Sequence, residues 1–214
     1  MVPRAAIVDP ELTRSCPRET TVASGLDAIT QLIESFICRF KKPLPRAMVL
    51  DALPRAVAAL PELLAHPRAV EPRAAMSHAA LVSGMALANS GLGMAHGVAA
   101  AVGIECGTPH GLACAVMLPV ALRVNFDDAY LDYAELERAI DRSSTRGERG
   151  DAEAFVARIE RLCRDAGVPQ RLSELGLSAD RVEWLAENSR GASMRGNPRE
   201  FDTETLRGVL QAAW

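Results

Sequence analysis

Apolar residues recur at spacings of three and four through Leu26, Ile29, Ile33 and Phe36, the period of one helical face. Pro17, Glu19 and Thr20 suit the first turn of that helix, and Lys41, Lys42, Pro43 and Pro45 end it. A second helix is predicted over about residues 46–64. Pro54 inside it predicts a kink, because proline removes a backbone donor and clashes with the preceding turn. Apolar helices follow over about 72–89, 93–103 and 109–124. Beyond Arg123 the pattern becomes charged and amphipathic, predicting helices near 130–141, 152–166, 178–187 and 203–213. Residues 143–151, SSTRGERGD, read as a flexible loop. At the other end, AAIV before Asp9 and Pro10 reads as a short strand stopped by a turn. It has no partner strand in the rest of the chain, so it is expected to pair with a sheet lying upstream.

The expected fold is therefore all-α. Aromatic residues are 4% of a chain that is 49% hydrophobic, so Ala, Leu and Val must fill the core, which suits closely packed helices. From Ala74 to Leu122 the only charged side chain is Glu105. Polar breaks at Asn89, Ser90, His96, Thr108 and His110 leave no apolar run of the roughly 20 residues a bilayer requires, so a buried helical hairpin is expected and no membrane partner. Arginines are interspersed with acids and the net charge is -3, a pattern that excludes a basic stripe for nucleic acid. Five cysteines without a CxxC pair, and no signal peptide, point to a reduced cytoplasmic protein.

Three polar groups stand where burial would be costly: Asp27 in GLDAITQLIESF, His96 in GLGMAHGVAAAVG and His110 in GTPHGLACAV. A buried carboxylate needs a cation or strong donors. One carboxylate and two imidazoles meeting would form a facial metal site with an open position, suited to Fe2+ or to a catalytic Zn2+. Gln31 follows Asp27 by four residues and so shares its helical face. The same residues also admit a plainer reading, in which Asp27 is an exposed or capping residue and the histidines are hydrogen-bonded packing groups. His66 and His78 are read in that plainer way.

The blocks AAIVDPELT, TVASGLDAITQLIES, SGMALANSGLGMAHGVAAAVG, TPHGLACAVMLPVALRVN and SMRGNPR, in this order, resemble the signature blocks of the iron-containing (group III) alcohol dehydrogenases across essentially all 214 residues. The resemblance implies a multi-helix bundle of the dehydroquinate synthase-like kind, corresponding to the C-terminal half of a two-domain enzyme. The other half would be a Rossmann-like domain binding NAD(P), with a divalent metal, Fe2+ or Zn2+, in the cleft between. It divides the chain into residues 1–14, a remnant strand and linker of the nucleotide-binding domain, and residues 15–214, a helical metal-binding and substrate domain.

Carried over by motif, the family's metal ligands fall on Asp27, Gln31, His96 and His110. Gln31 departs from the family, which has a histidine there; an amide oxygen is a weaker ligand than imidazole. Glycerol dehydrogenases of the same superfamily hold zinc with one Asp and two His. Ala100 is a second departure, since many members carry a histidine one turn after the His96 position. The resemblance implies interconversion of a small alcohol and its aldehyde by hydride transfer, with homo-oligomerisation compatible. No glycine-rich phosphate cradle follows a strand here, so the chain alone is expected neither to bind NAD(P)H tightly nor to turn over. Two rival readings stand beside this one: a maleylacetate-reductase-like relative working without tightly held metal, and a non-catalytic helical module for oligomerisation or partner binding.

Overall fold

The computed structural model describes residues 3–214. Nine α-helices make up the described chain: α1 (Arg18–Ile37), α2 (Pro43–Ala65), α3 (Val70–Asn89), α4 (Met94–Cys106), α5 (His110–Val124), α6 (Phe126–Ile140), α7 (Gly147–Asp165), α8 (Val182–Asn188) and α9 (Thr203–Ala213). The all-α expectation holds. Helix α2 is continuous through Pro54 and Pro61.

Helix α1 sits at the centre because it is apolar almost all round. Leu26, Ile29, Leu32, Ile33 and Phe36 are fully buried, and the helix packs against α2, α3 and α5. Burying side chains of this size stabilises by about 1.5–3 kcal/mol each relative to exposure. Helices α4 and α5 form the expected neutral hairpin. Their turn depends on Gly107, whose φ of 65° is the left-handed conformation that closes α4. Helix α3 turns away, meeting α4 at 104°, and no single helix among the described residues is long and apolar enough to cross a membrane. Glu105 is bound by Arg181 through two bonds of 2.6 and 2.7 Å.

The turn expected at Asp9 and Pro10 is present as a 3-10 turn over residues 10–13, capped by Asp9. No strand forms among the described residues; Ile7 and Val8 are exposed, and the upstream sheet expected to pair with them is not among these residues. Met1 and Val2 of that segment lie outside the described residues. The expected loop 143–151 is largely ordered, because α7 begins at Gly147. Two buried carboxylates capture it: Glu137 accepts from Arg146 and Arg158, and Asp151 accepts from Arg138, Arg146 and Ser144. Charge-assisted bonds of this kind offset the cost of ordering the segment.

Gly111 governs how closely α5 approaches α1. A Cβ there would lie 2.3 Å from the carbonyl oxygen of Ala23 and 3.2 Å from Asp27 Cβ. Gly111→Ala should therefore push the two helices apart and lower stability by about 1–3 kcal/mol, as over-packing does. Urea denaturation reads this directly; a midpoint equal to that of the parent would show that the contact is not tight.

Candidate metal centre

Three helices each deliver one of the expected groups to a single point. Asp27 lies on the middle of α1, His96 on the first turn of α4, and His110 on the first residue of α5. Asp27 Oδ1 lies 3.1 Å from His96 Nε2 and 3.9 Å from His110 Nε2. The two imidazole rings have centroids 5.5 Å apart. Cys114, one turn after His110 on α5, adds its sulfur 3.5 Å from His110 Nε2. One donor atom from each of these four residues lies within 4.8 Å of the other three.

Gln31 also faces the cluster but has both ends of its amide engaged. Its Nε2 donates to Asp27 Oδ2 at 3.0 Å, and its Oε1 accepts from the Ser83 hydroxyl at 2.7 Å. Ala100 is exposed on α4 one turn beyond His96. His78 pairs with Asp51 on α2 at 3.3 Å, and His66 caps the end of α2, both apart from the cluster.

A residue not anticipated from sequence holds the site together. Glu34, seven residues after Asp27 and so on the same face of α1, is buried with its side chain 2% exposed. Its carboxylate accepts from the backbone N–H groups of Gly93 (3.0 Å), Ala95 (2.6 Å) and His96 (3.4 Å). It also contacts His96 Nδ1 at 2.7 Å. The Met94 amide, the remaining free donor of that turn, is taken by Asn197 Oδ1 at 3.0 Å. Asn197 is itself paired with Asn125. Gly93 admits this arrangement, since a Cβ there would fall 2.9 Å from Glu34 Oε1 and 3.0 Å from Asn197 Oδ1. The signal for Glu34 was a second carboxylate in an apolar helix; the signal for Cys114 was its four-residue spacing from His110.

The electrostatics follow from these contacts. Burial works to raise the Asp27 carboxyl, but its bond to His96 and the charges of both histidines outweigh it and hold it below the usual carboxylate range. Burial would lower His96, yet its bonds to Asp27, Cys114 and Glu34 push it up to about 12. Burial pushes the Cys114 thiol up to about 11. The donor set of oxygen, nitrogen and sulfur, concentrated in one small volume, has the chemistry of a transition-metal site. His96 shows the carboxylate–histidine arrangement that orients a metal-binding imidazole. Access is one-sided: His96 is 4% exposed, whereas His110 is 52% and Asp27 22% exposed.

Comparison with known proteins agrees with this architecture. Residues 21–214 match the family model described as the Fe-containing alcohol dehydrogenase family, C-terminal. The chain belongs to that family. Over its full length it is 30% identical to the 1,3-propanediol dehydrogenase of Klebsiella pneumoniae and 27% identical to the NAD-dependent methanol dehydrogenase of Bacillus methanolicus, covering 56% of each. Among solved structures, a 1,3-propanediol oxidoreductase superposes with a TM-score of 0.91 at 28% identity, over 96% of this chain and 55% of that one. The iron-containing alcohol dehydrogenase of Thermococcus thioreducens superposes at 0.85 with 31% identity, over 97% and 54%. The chain thus spans about half the length of the relatives it matches.

Replacing Glu34 with Ala would strand three buried backbone donors and the Nδ1 side of His96. The expected loss is roughly 3–5 kcal/mol, the range for removing one member of a buried charged pair. His110→Ala, at the open side, should stay within about 0.5 kcal/mol of the parent. Chemical denaturation of both variants in metal-free buffer separates the two; equal effects would contradict the assignment of Glu34 as the structural anchor.

Proposed function

We propose that this chain is the metal-binding and substrate half of an NAD(P)-linked alcohol dehydrogenase, with Asp27, His96 and His110 as ligands of a divalent cation. One observation carries the reading: a carboxylate and two imidazoles from three separate helices converge at a one-sided opening, with the inner imidazole backed by a buried carboxylate. Bound there, the cation would serve as a Lewis acid toward the alcohol oxygen.

The protein's own residues supply the rest. Asp27 contributes the negative charge that draws a cation to a buried position. Glu34 accepts from Nδ1–H of His96 and so leaves Nε2, which faces Asp27, as the nitrogen that would exchange its proton for a cation. We assign Gln31 to positioning: its amide N–H holds the second oxygen of Asp27, and Ser83 holds the amide. The opening beside His110 and Asp27 is where an alcohol would enter. Small alcohols and aldehydes are the substrate class, by extension from the propanediol and methanol dehydrogenases it resembles. Ala100 offers no proton carrier one turn beyond His96, so the proton of the alcohol leaves by another group or by water. Gly91 to Gly93 joins two helices, α3 and α4, where a dinucleotide-binding turn follows a strand, so we assign nicotinamide binding to a partner domain outside these 214 residues.

Elemental analysis and calorimetric titration of the 214-residue chain should find one divalent ion per chain. His96→Ala or His110→Ala should abolish that stoichiometric binding. Saturation at 100 times Kd should add about 2.7 kcal/mol of stability to the parent. A chain that takes up no metal and keeps its stability after both changes would favour the helical-module reading. Separately, titration of this chain with NADH should show no tight complex; submicromolar binding would refute the assignment of the nucleotide site to another domain.

A further inference from the structure

We propose that Cys114 is a fourth ligand of the cation held by Asp27, His96 and His110, producing a site of two nitrogens, one oxygen and one sulfur that takes zinc in preference to iron. This rests on the three-residue reading above and deepens it.

Geometry supports the assignment. A tetrahedral zinc with Zn–S of about 2.3 Å and Zn–N of about 2.0–2.1 Å separates sulfur from nitrogen by about 3.5 Å and nitrogen from oxygen by about 3.3 Å. Cys114 Sγ lies 3.5 Å from His110 Nε2, and His96 Nε2 lies 3.1 Å from Asp27 Oδ1. All four donor atoms lie within 4.8 Å of one another, and His110 Nε2 stands 3.9 Å from Asp27 Oδ1, so binding would draw the exposed His110 ring inward. Cys114 is fully buried and one helical turn from His110, so its sulfur faces the cluster and not solvent. Gln31 is held at both ends of its amide by Asp27 and Ser83, whereas among the described residues the Cys114 sulfur has no such anchor, so we place the fourth ligand at Cys114.

Charge and softness point the same way. As the cation binds, the Cys114 thiol and the Nε2–H of His96 would both give up their protons to solvent, leaving one thiolate and one carboxylate to neutralise a divalent charge in a buried place. A thiolate is a soft donor that favours zinc over ferrous iron beyond the general order of affinities. An alcohol would then approach from the His110 side as a fifth ligand, an expansion zinc tolerates.

Cobalt(II) substitution of the 214-residue chain tests this. One cobalt per chain with a thiolate-to-cobalt charge-transfer band in the near ultraviolet is expected. Cys114→Ser should lose the band, and Cys106→Ser, outside the cluster, should keep it. The zinc-over-iron preference should fall in Cys114→Ser by roughly 10-fold or more, since loss of even an outer partner costs 10–100-fold in metal affinity. One cobalt per chain with ligand-field bands alone would overturn the inference and leave the three-ligand reading intact. A charge-transfer band surviving in Cys114→Ser would also overturn it. Failure to bind any cobalt would overturn both. Should Cys114→Ser not fold, the spectrum of the parent decides.

Discussion

A carboxylate buried at the start of another helix is the interaction on which the rest of this molecule depends. Glu34 reaches from α1 to the first turn of α4 and accepts from the amides of Gly93, Ala95 and His96. The partial positive charge of a helix N-terminus favours an anion at that place. Those bonds make burial of the charge tolerable, and they spare α4 a local cap: its N-cap is Gly93, with no side chain to offer. The cap comes from α1 and, through Asn197, from the segment before α9.

The same carboxylate turns a structural device into a chemical one. It contacts His96 Nδ1, so the bond that anchors α4 also orients the imidazole toward Asp27. Asp27 and Glu34 are two turns apart on one helix and act on opposite sides of one ring. Gly111 then allows α5 to approach α1 closely enough for His110 and Cys114 to meet Asp27. A cluster fixed by three helices and two close backbone contacts holds its geometry better than one carried on loops.

Charge is distributed accordingly. The neutral stretch through α4 and α5 encloses the cluster, and Glu105 at its end is neutralised by Arg181. The arginine-rich helices lie farther out, where Glu137 and Asp151 gather Arg138, Arg146 and Arg158. Those pairs order the entry into α7.

The helices were legible because helical periodicity is local: three- and four-residue spacing of Leu26, Ile29, Ile33 and Phe36 needs no knowledge of what lies opposite. Asp27, His96 and His110 were legible because a polar side chain in an apolar run demands a partner. Cys114 and Glu34 were not, since a thiol four residues from a histidine, or a second acid in a helix, acquires meaning only when α1, α4 and α5 converge. The order of residues 143–151 was likewise decided by distant groups, because buried carboxylates capture that segment. Local spacing specifies elements through short-range sterics and burial, whereas a site is built from charges and donors that only tertiary packing brings within a few ångströms.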